Sequence, residues 1–430
     1  MSVTGESLSN DTEKRSIWKF IGPGLCMAGA AIGVSHIMQS TRAGAHYGFA
    51  LVWLVVLVNI LKYPAFKFGH WFTASTGKSL IDGYRGLGKG QLALFQIVCT
   101  VTGIGSIGAV SYVTGALAWG MVGQWGTIEG WSLGIMIFCA TMLIAGHYHL
   151  LNDIVKYIMI LLAVATLFAF GAALVHGPVA APEFEGPNPW TLVGFGFIIA
   201  LLGWMPAPIE VSVMQSLWVQ AKQRDDNQPM TKREAMVDFN IGYILTMVLA
   251  VVFVSLGALV MFGSGTEFAA SNVGFTNQLT ELYTTHLGGW IHPIISFAAF
   301  TAMFSTTITV IDGYTRCLSE GLLPLFPGIK LEKRPSHNIW LVIGTVAGAI
   351  IIFMASNDPS SLTRLVDIVT VLAFLTAPFF AALNHWVVFG KQMTEATRPS
   401  KASWLLSWAG LIFLTVFSVV YIYSRWIHPV

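Results

Sequence analysis

The sequence predicts an all-α membrane protein: eleven transmembrane helices, arranged as two inverted five-helix repeats plus one, with the first and sixth helices discontinuous. Three observations lead there. Of 430 residues, 55% are hydrophobic and only 10% charged, with a mean hydropathy of +0.68. Soluble domains carry about 25% charged residues, so this chain lacks the polar surface to dissolve. Apolar runs of roughly 20 residues recur along it, each long enough to cross about 30 Å of hydrocarbon. Two of those runs, five spans apart, are interrupted.

The spans are expected at 20–47, 49–72, 91–119, 131–147, 152–176, 191–219, 238–262, 291–318, 338–355, 362–389 and 402–424. They divide the chain into a tail (1–19), a first repeat (20–176), a second repeat (191–389) and an added helix (402–424). The tail is mostly polar and the run after it too long and broken for a cleavable signal peptide. Basic residues set the orientation, because cytoplasmic loops collect Lys and Arg. Placing the N-terminus in the cytoplasm puts 20 of the 23 basic residues inside. These include Lys14, Arg15 and Lys19, then Lys62, Lys67, Lys78, Arg85 and Lys89, counted with the loop after the second span, and Lys156. They continue with Lys222, Arg224, Lys232 and Arg233, Arg316, Lys330, Lys333 and Arg334, and finally Lys391, Arg398 and Lys401. Only Arg42, Arg364 and Arg425 fall outside the pattern. An odd number of spans leaves the C-terminus outside, in a plasma (cytoplasmic) membrane. Trp18, Trp71, Trp119, Trp131, Trp190, Trp290, Trp340, Trp404 and Trp426 lie near span ends, as an interfacial belt requires; Trp204 sits mid-span. Cys26, Cys99, Cys139 and Cys317 all fall in apolar segments without metal-type spacing, and read as small buried packers.

The first interruption lies at Gly33–Ser35, inside "AAIGVSHIMQSTRAGAHYG". The second lies in "LLGWMPAPIEVS", where Pro206 and Pro208 each remove a backbone donor and clash with the preceding turn. Paired breaks in corresponding helices point to a transporter binding site near the bilayer midplane. The freed N–H and C=O groups need partners, which a bound solute or ion supplies.

"GPGLCMAGAAIGVSHIMQSTRAGAHYGF" resembles the first helix of the Nramp divalent-metal transporters, in which a Gly-Pro-Gly start leads to an Asp-Pro-Gly-Asn break. Met205-Pro206 resembles the family's Met-Pro-His, and "FTAMFSTTITVIDGYTRCLSEGLL" its eighth helix. The resemblance covers about residues 20–424 and implies the leucine-transporter-type fold and metal-ion symport. Aligned on Gly22-Pro23-Gly24, the family's metal-binding Asp falls on Gly33 and its Asn on His36; the site methionine is kept as Met205, and the His after Pro206 becomes Ala207. The third span, "LFQIVCTVTGIGSIGAVSYVTGAL", contains no Asp or Glu where the family carries its proton-passing acids. The chain thus resembles a divergent member without the usual metal-binding Asp.

The candidate substrate-binding residues are Gly33, His36, Trp204, Met205, Ala207 and Glu210. His36 offers an imidazole nitrogen and Met205 a soft thioether, a tentative ligand pair for a transition metal. Glu210 is a carboxylate inside a span, a functional candidate by default; the plainer reading is a carboxylate facing a wet vestibule. Arg42 and Asp367, on helices that neighbour each other in the inverted-repeat fold, read as a gate or structural ion pair. Ser305, Thr306, Thr307 and Thr309 offer hydroxyls to a sodium ion between the first and eighth helices, although such hydroxyls more often bond their own helix's carbonyls. The resemblance sets Thr370 and Thr376 where the family's tenth helix has glutamines, which makes them weak pathway candidates; Asp312, His147 and His149 read as inner-vestibule or interfacial residues, and Gly103, Gly105 and Gly108 as permitting close packing.

No nucleotide-binding loop, nucleophile motif or catalytic domain is visible, so neither an enzyme nor an ATP-driven pump is expected. No cofactor is expected beyond a coupling ion, Na⁺ or H⁺; the partners are the lipid bilayer and a small solute or metal cation, with no nucleic acid. Kinship favours a secondary metal-cation transporter. The alternatives are a sodium-coupled carrier of a small polar or organic solute and a non-transporting membrane sensor.

Overall fold

Pro23 opens the first helix at the one position where a missing N–H costs nothing. In the computed structural model, which describes residues 20–146, 148–265, 292–326, 332–356 and 360–427 with Gln278 and Gly328, that helix is α1 (Pro23–Ala31). It stops at Ile32 and Gly33, where the Gly33 N–H turns back to the Ala31 carbonyl at 2.8 Å. The chain then rewinds as a π-helical segment, Val34–Ser40, and returns to α geometry in α2 (Thr41–Tyr47). Gly33 is required by close approach: a Cβ there would lie 2.5 Å from the Thr306 hydroxyl oxygen.

The following helices are α3 (Val52–Thr76), α4 (Leu80–Leu87), α5 (Lys89–Met121), α6 (Ile128–Ala145) and α7 (Tyr148–His176). The second interrupted rod comprises α8 (Leu192–Gly203) and α9 (Val211–Asp225), with Trp204–Glu210 unwound between them. Then come α10 (Lys232–Val260), α11 (His292–Leu322), α12 (Lys333–Ala355), α13 (Ser361–Phe389) and α14 (Lys401–Ile427). Among the described residues, seven helices are long and apolar enough to cross a membrane: α3, α5, α6, α10, α12, α13 and α14. Each expected span overlaps a helix, and both expected breaks are present.

Three features differ from the sequence reading. Helix α4 was not anticipated; Ser79 caps it by accepting from the Asp82 N–H at 3.2 Å while Asp82 accepts from the Ser79 N–H at 2.9 Å. Lys62 and Lys67, counted with a loop, lie inside α3, and Lys62 is fully buried. Lys156 lies within α7. Trp18, His147, Trp290, Lys14, Arg15, Lys19 and Lys330 lie outside the described residues.

Helix α10 packs along the whole first rod (α1, the π segment and α2) and against α3 and α7, while α11 packs against α1, α5, α6, α7 and α12. Helix α13 holds α8, and α14 lies outside α13 and α3. The start of α1 is fastened by a buried carboxylate. Asp238 of α10 accepts from the N–H groups of Gly22 at 2.9 Å and Gly24 at 2.7 Å, and lies 3.2 Å from His70 Nε2 of α3. A carboxylate at a helix N-terminus satisfies orphan donors and favours the dipole together.

Candidate functional site

The two breaks meet between α5 and α11. The Ser35 hydroxyl of the first rod lies 3.3 Å from the Pro206 carbonyl of the second, with its shorter bond going to the Ala31 carbonyl at 2.5 Å. Beside this junction lies a cavity of about 20 Å³. The first rod contributes Ala30, Val34 and Ser35, and the second Trp204, Ala207, Pro208 and Val211. Helix α5 adds Ser106 and Val110; α11 adds Thr306, Val310 and Tyr314. Each break therefore supplies a wall, and the polar lining consists of hydroxyls and one indole. A space of this size holds roughly one water molecule.

Of the residues expected to bind substrate, Trp204 and Ala207 line this cavity, and Gly33 abuts it through Thr306. Trp204 Nε1 is buried without a hydrogen-bond partner among the described residues. His36 and Met205 are fully buried and outside the lining. His36 Nε2 lies 2.8 Å from the Thr246 carbonyl of α10. Its Nδ1 lies 2.8 Å from both the Ser35 hydroxyl and the Ala31 carbonyl. Both ring nitrogens are thus occupied, and His36 fastens the π segment to α10 instead of presenting a free nitrogen to a ligand. Among the described residues no group of three or more His, Cys, Asp or Glu is placed to hold a metal ion.

Glu210 is fully buried at the residue preceding α9. Its polar surroundings are the Thr102 and Tyr314 hydroxyls and the Lys62 amine. Neither carboxylate oxygen completes a hydrogen bond among the described residues, and both side-chain polar atoms of buried Gln215, one turn further along α9, are likewise unpartnered. Buried polar groups left unpaired are rare and costly, and mark places that water or a ligand visits. Trp204, Glu210 and Gln215 form such a series along the second rod.

Of the hydroxyls expected to hold sodium, those of Thr306, Thr307 and Thr309 donate their protons to backbone carbonyls. Thr306 donates to the Gly29 carbonyl at 2.8 Å and lies 3.1 Å from that of Ala302. Thr309 donates to the Ser305 carbonyl at 2.7 Å, Thr307 to Met303 at 3.0 Å, and Thr370 to Val366 at 2.8 Å. Thr306 consequently ties α11 to α1 beside the break. Asp312 pairs with Arg316 at 2.6 Å and lines a separate recess of about 960 Å³ near Gly22 and Pro23.

Arg42 and Asp367 meet. The guanidinium donates to both carboxylate oxygens, at 2.7 and 3.2 Å, and Gln39 donates to Asp367 at 2.9 Å. The Phe197 ring of α8 lies 5.2 Å from the guanidinium carbon. These contacts draw the π segment and α2 onto α13 and α8 at the Tyr47 end. The sequence reading missed Ser35, Ser106, Tyr314 and Gln215. The signal available for Gln215 was an amide inside a span; lone hydroxyls in apolar helices give almost none.

The family described as "Natural resistance-associated macrophage protein-like" (Nramp) matches residues 24–424. The chain belongs to the Nramp family. Nramp proteins are membrane transporters, not enzymes, which agrees with the many apolar helices here. The chain is 37% identical over 417 residues to an uncharacterized protein of Pasteurella multocida (strain Pm70), covering 95% of this chain and 94% of that one. It is 21% identical over 413 residues to the Metal transporter Nramp2 of Oryza sativa subsp. japonica, covering 93% and 76%. In structure it resembles a mutant of the Eremococcus coleocola manganese transporter, with a TM-score of 0.68 at 16% identity, covering 97% of this chain and 90% of that one. The fold is accordingly the leucine-transporter type that this Nramp chain's resemblance implied.

Proposed function

We propose that this Nramp chain is a secondary active carrier of a divalent metal cation, which it holds between the two breaks. The observation that carries this reading is the size of the space: about 20 Å³ admits an ion and excludes an amino-acid-sized solute in this conformation. The rice relative named a metal transporter and the manganese-transporter fold support the same cargo. The lining donors are oxygens from Ser35, Ser106, Thr306 and Tyr314, with the Glu210 carboxylate close to Tyr314. Such a set suits a hard ion such as Mn²⁺ better than Zn²⁺. The ligand chemistry therefore differs from a site built on an aspartate in the first break.

A second reading, a sodium-coupled carrier of a small polar or organic solute, draws on Gly33, where packing against Thr306 leaves no room for a carboxylate. Reconstituted into proteoliposomes, the protein should take up Mn²⁺ down an imposed gradient, and Zn²⁺ more slowly. Sodium-driven uptake of an organic solute without Mn²⁺ flux would transfer the assignment to the second reading. No flux of any tested solute would leave a membrane sensor.

In this reading residues 20–176 and 191–389 act as the two halves and 402–424 as an accessory helix, with the N-terminus cytoplasmic and the C-terminus outside. Arg42 and Asp367 then close the outward side. Replacing Asp367 by Asn weakens the bidentate contact; a loss of about 1.4 kcal/mol shifts the closed–open balance roughly tenfold. Alkylation of a cysteine introduced at Ser35 from the outside should quicken by that factor. The charge-swapped pair, Arg42→Asp with Asp367→Arg, should slow it again.

A further inference from the structure

Lys62 is a fully buried lysine, and nothing in the transport scheme above uses it. It lies well inside α3, is fully buried, and makes no ion pair with a carboxylate among the described residues. Its Nζ instead donates to the Leu202 carbonyl at 2.6 Å and the Gly203 carbonyl at 3.1 Å. Those are the last two carbonyls of α8, at the lip of the second break. The Leu202 carbonyl also accepts from the Met205 N–H at 3.3 Å, and both carbonyls stand at the negative end of the helix dipole. Gly203 lets α8 and α13 approach closely: a Cβ there would fall 1.9 Å from the Thr370 carbonyl oxygen of α13. Glu210 stands across the unwound stretch, at the residue preceding α9.

Two backbone carbonyls at a broken helix's C-terminal end, with a buried carboxylate near, form a cradle for a positive ion. A cation carried on a four-carbon stem fills it. We propose that the Lys62 ammonium is a tethered cation occupying an ion site at the end of α8, so that this site needs no mobile alkali ion. Lys62 acts as a positioning residue: it holds the loosened carbonyls without touching the cavity lining. The inference is independent of which solute crosses the membrane.

Purified full-length protein in detergent tests it by thermal unfolding at equal ionic strength in choline, sodium or methylammonium chloride. Lys62→Ala opens the cradle, and its Tm should rise by about 3 °C or more in methylammonium or sodium relative to choline. The wild type should not show that increment. Lys62→Met keeps the stem but leaves the carbonyls unfilled, so its Tm should fall and stay insensitive to the cation. Three results would overturn the proposal: Lys62→Ala responding to cations no more than the wild type, Lys62→Met as stable as the wild type, or a Lys62→Ala protein that neither cation recovers.

Discussion

Gly33→Asp should unfold a large fraction of the protein, although it writes back the aspartate that the Nramp resemblance places at that position. Its Cβ would lie 2.5 Å from Thr306 Oγ1 and 2.8 Å from Cγ2. Overpacking of this kind typically costs about 1–3 kcal/mol. A carboxylate pressed against a buried threonine that already donates to Gly29 adds a desolvation cost of several kcal/mol. Together they consume most of the roughly 5–15 kcal/mol that holds a typical folded chain. Size-exclusion profiles of detergent extracts and the thermal midpoint measure the loss. Adding Thr306→Ala removes the colliding atoms, so the double variant should recover most of the monodisperse protein and bind Mn²⁺ at least about tenfold more tightly than the wild type by calorimetry. A Gly33→Asp protein as stable as the parent would mean that α1 and α11 do not approach as described.

Glu210→Gln should separate stability from transport. The substitution keeps the shape of the side chain and removes a buried charge that completes no hydrogen bond. Relief of that desolvation, offset by the loss of a negative neighbour of Lys62, should leave the Tm within about 3 °C of the parent. Uptake should fall roughly a hundredfold, the equivalent of about 2.7 kcal/mol of lost charge interaction with the cation. Glu210→Asp, with its carboxylate withdrawn by one methylene, should retain part of the activity. Uptake unchanged in Glu210→Gln would remove this carboxylate from the cargo's path.

Both breaks were legible because their causes are local: Pro206 and Pro208 delete donors whatever surrounds them, and a glycine where the apolar run loses continuity marks the first. Arg42 and Asp367 were legible as partners because an ionisable residue within a span must find an opposite charge. The orientation of His36 was not. It depends on the π winding of Val34–Ser40, which turns each following side chain differently from an α-helix, and a sequence carries no periodic mark of one such turn. Lys62 was misread because a lysine late in an apolar run has the same appearance whether it reaches back to a membrane surface or inward to carbonyls 140 residues away. The lining hydroxyls of Ser35, Ser106 and Tyr314 were hidden for a related reason: only the assembled packing decides which of many such groups face the gap.

The first rod is fastened at its start by Asp238 on Gly22 and Gly24, and near its finish by Asp367 on Arg42 and Gln39. Between the two fastenings the winding lapses at Ile32–Gly33. A beam secured at both tips and slack in the middle can release one tip while the other stays bound, because the slack point absorbs the swing. Leakage through such a device requires both fastenings to let go at once, an event as rare as the product of two separate openings.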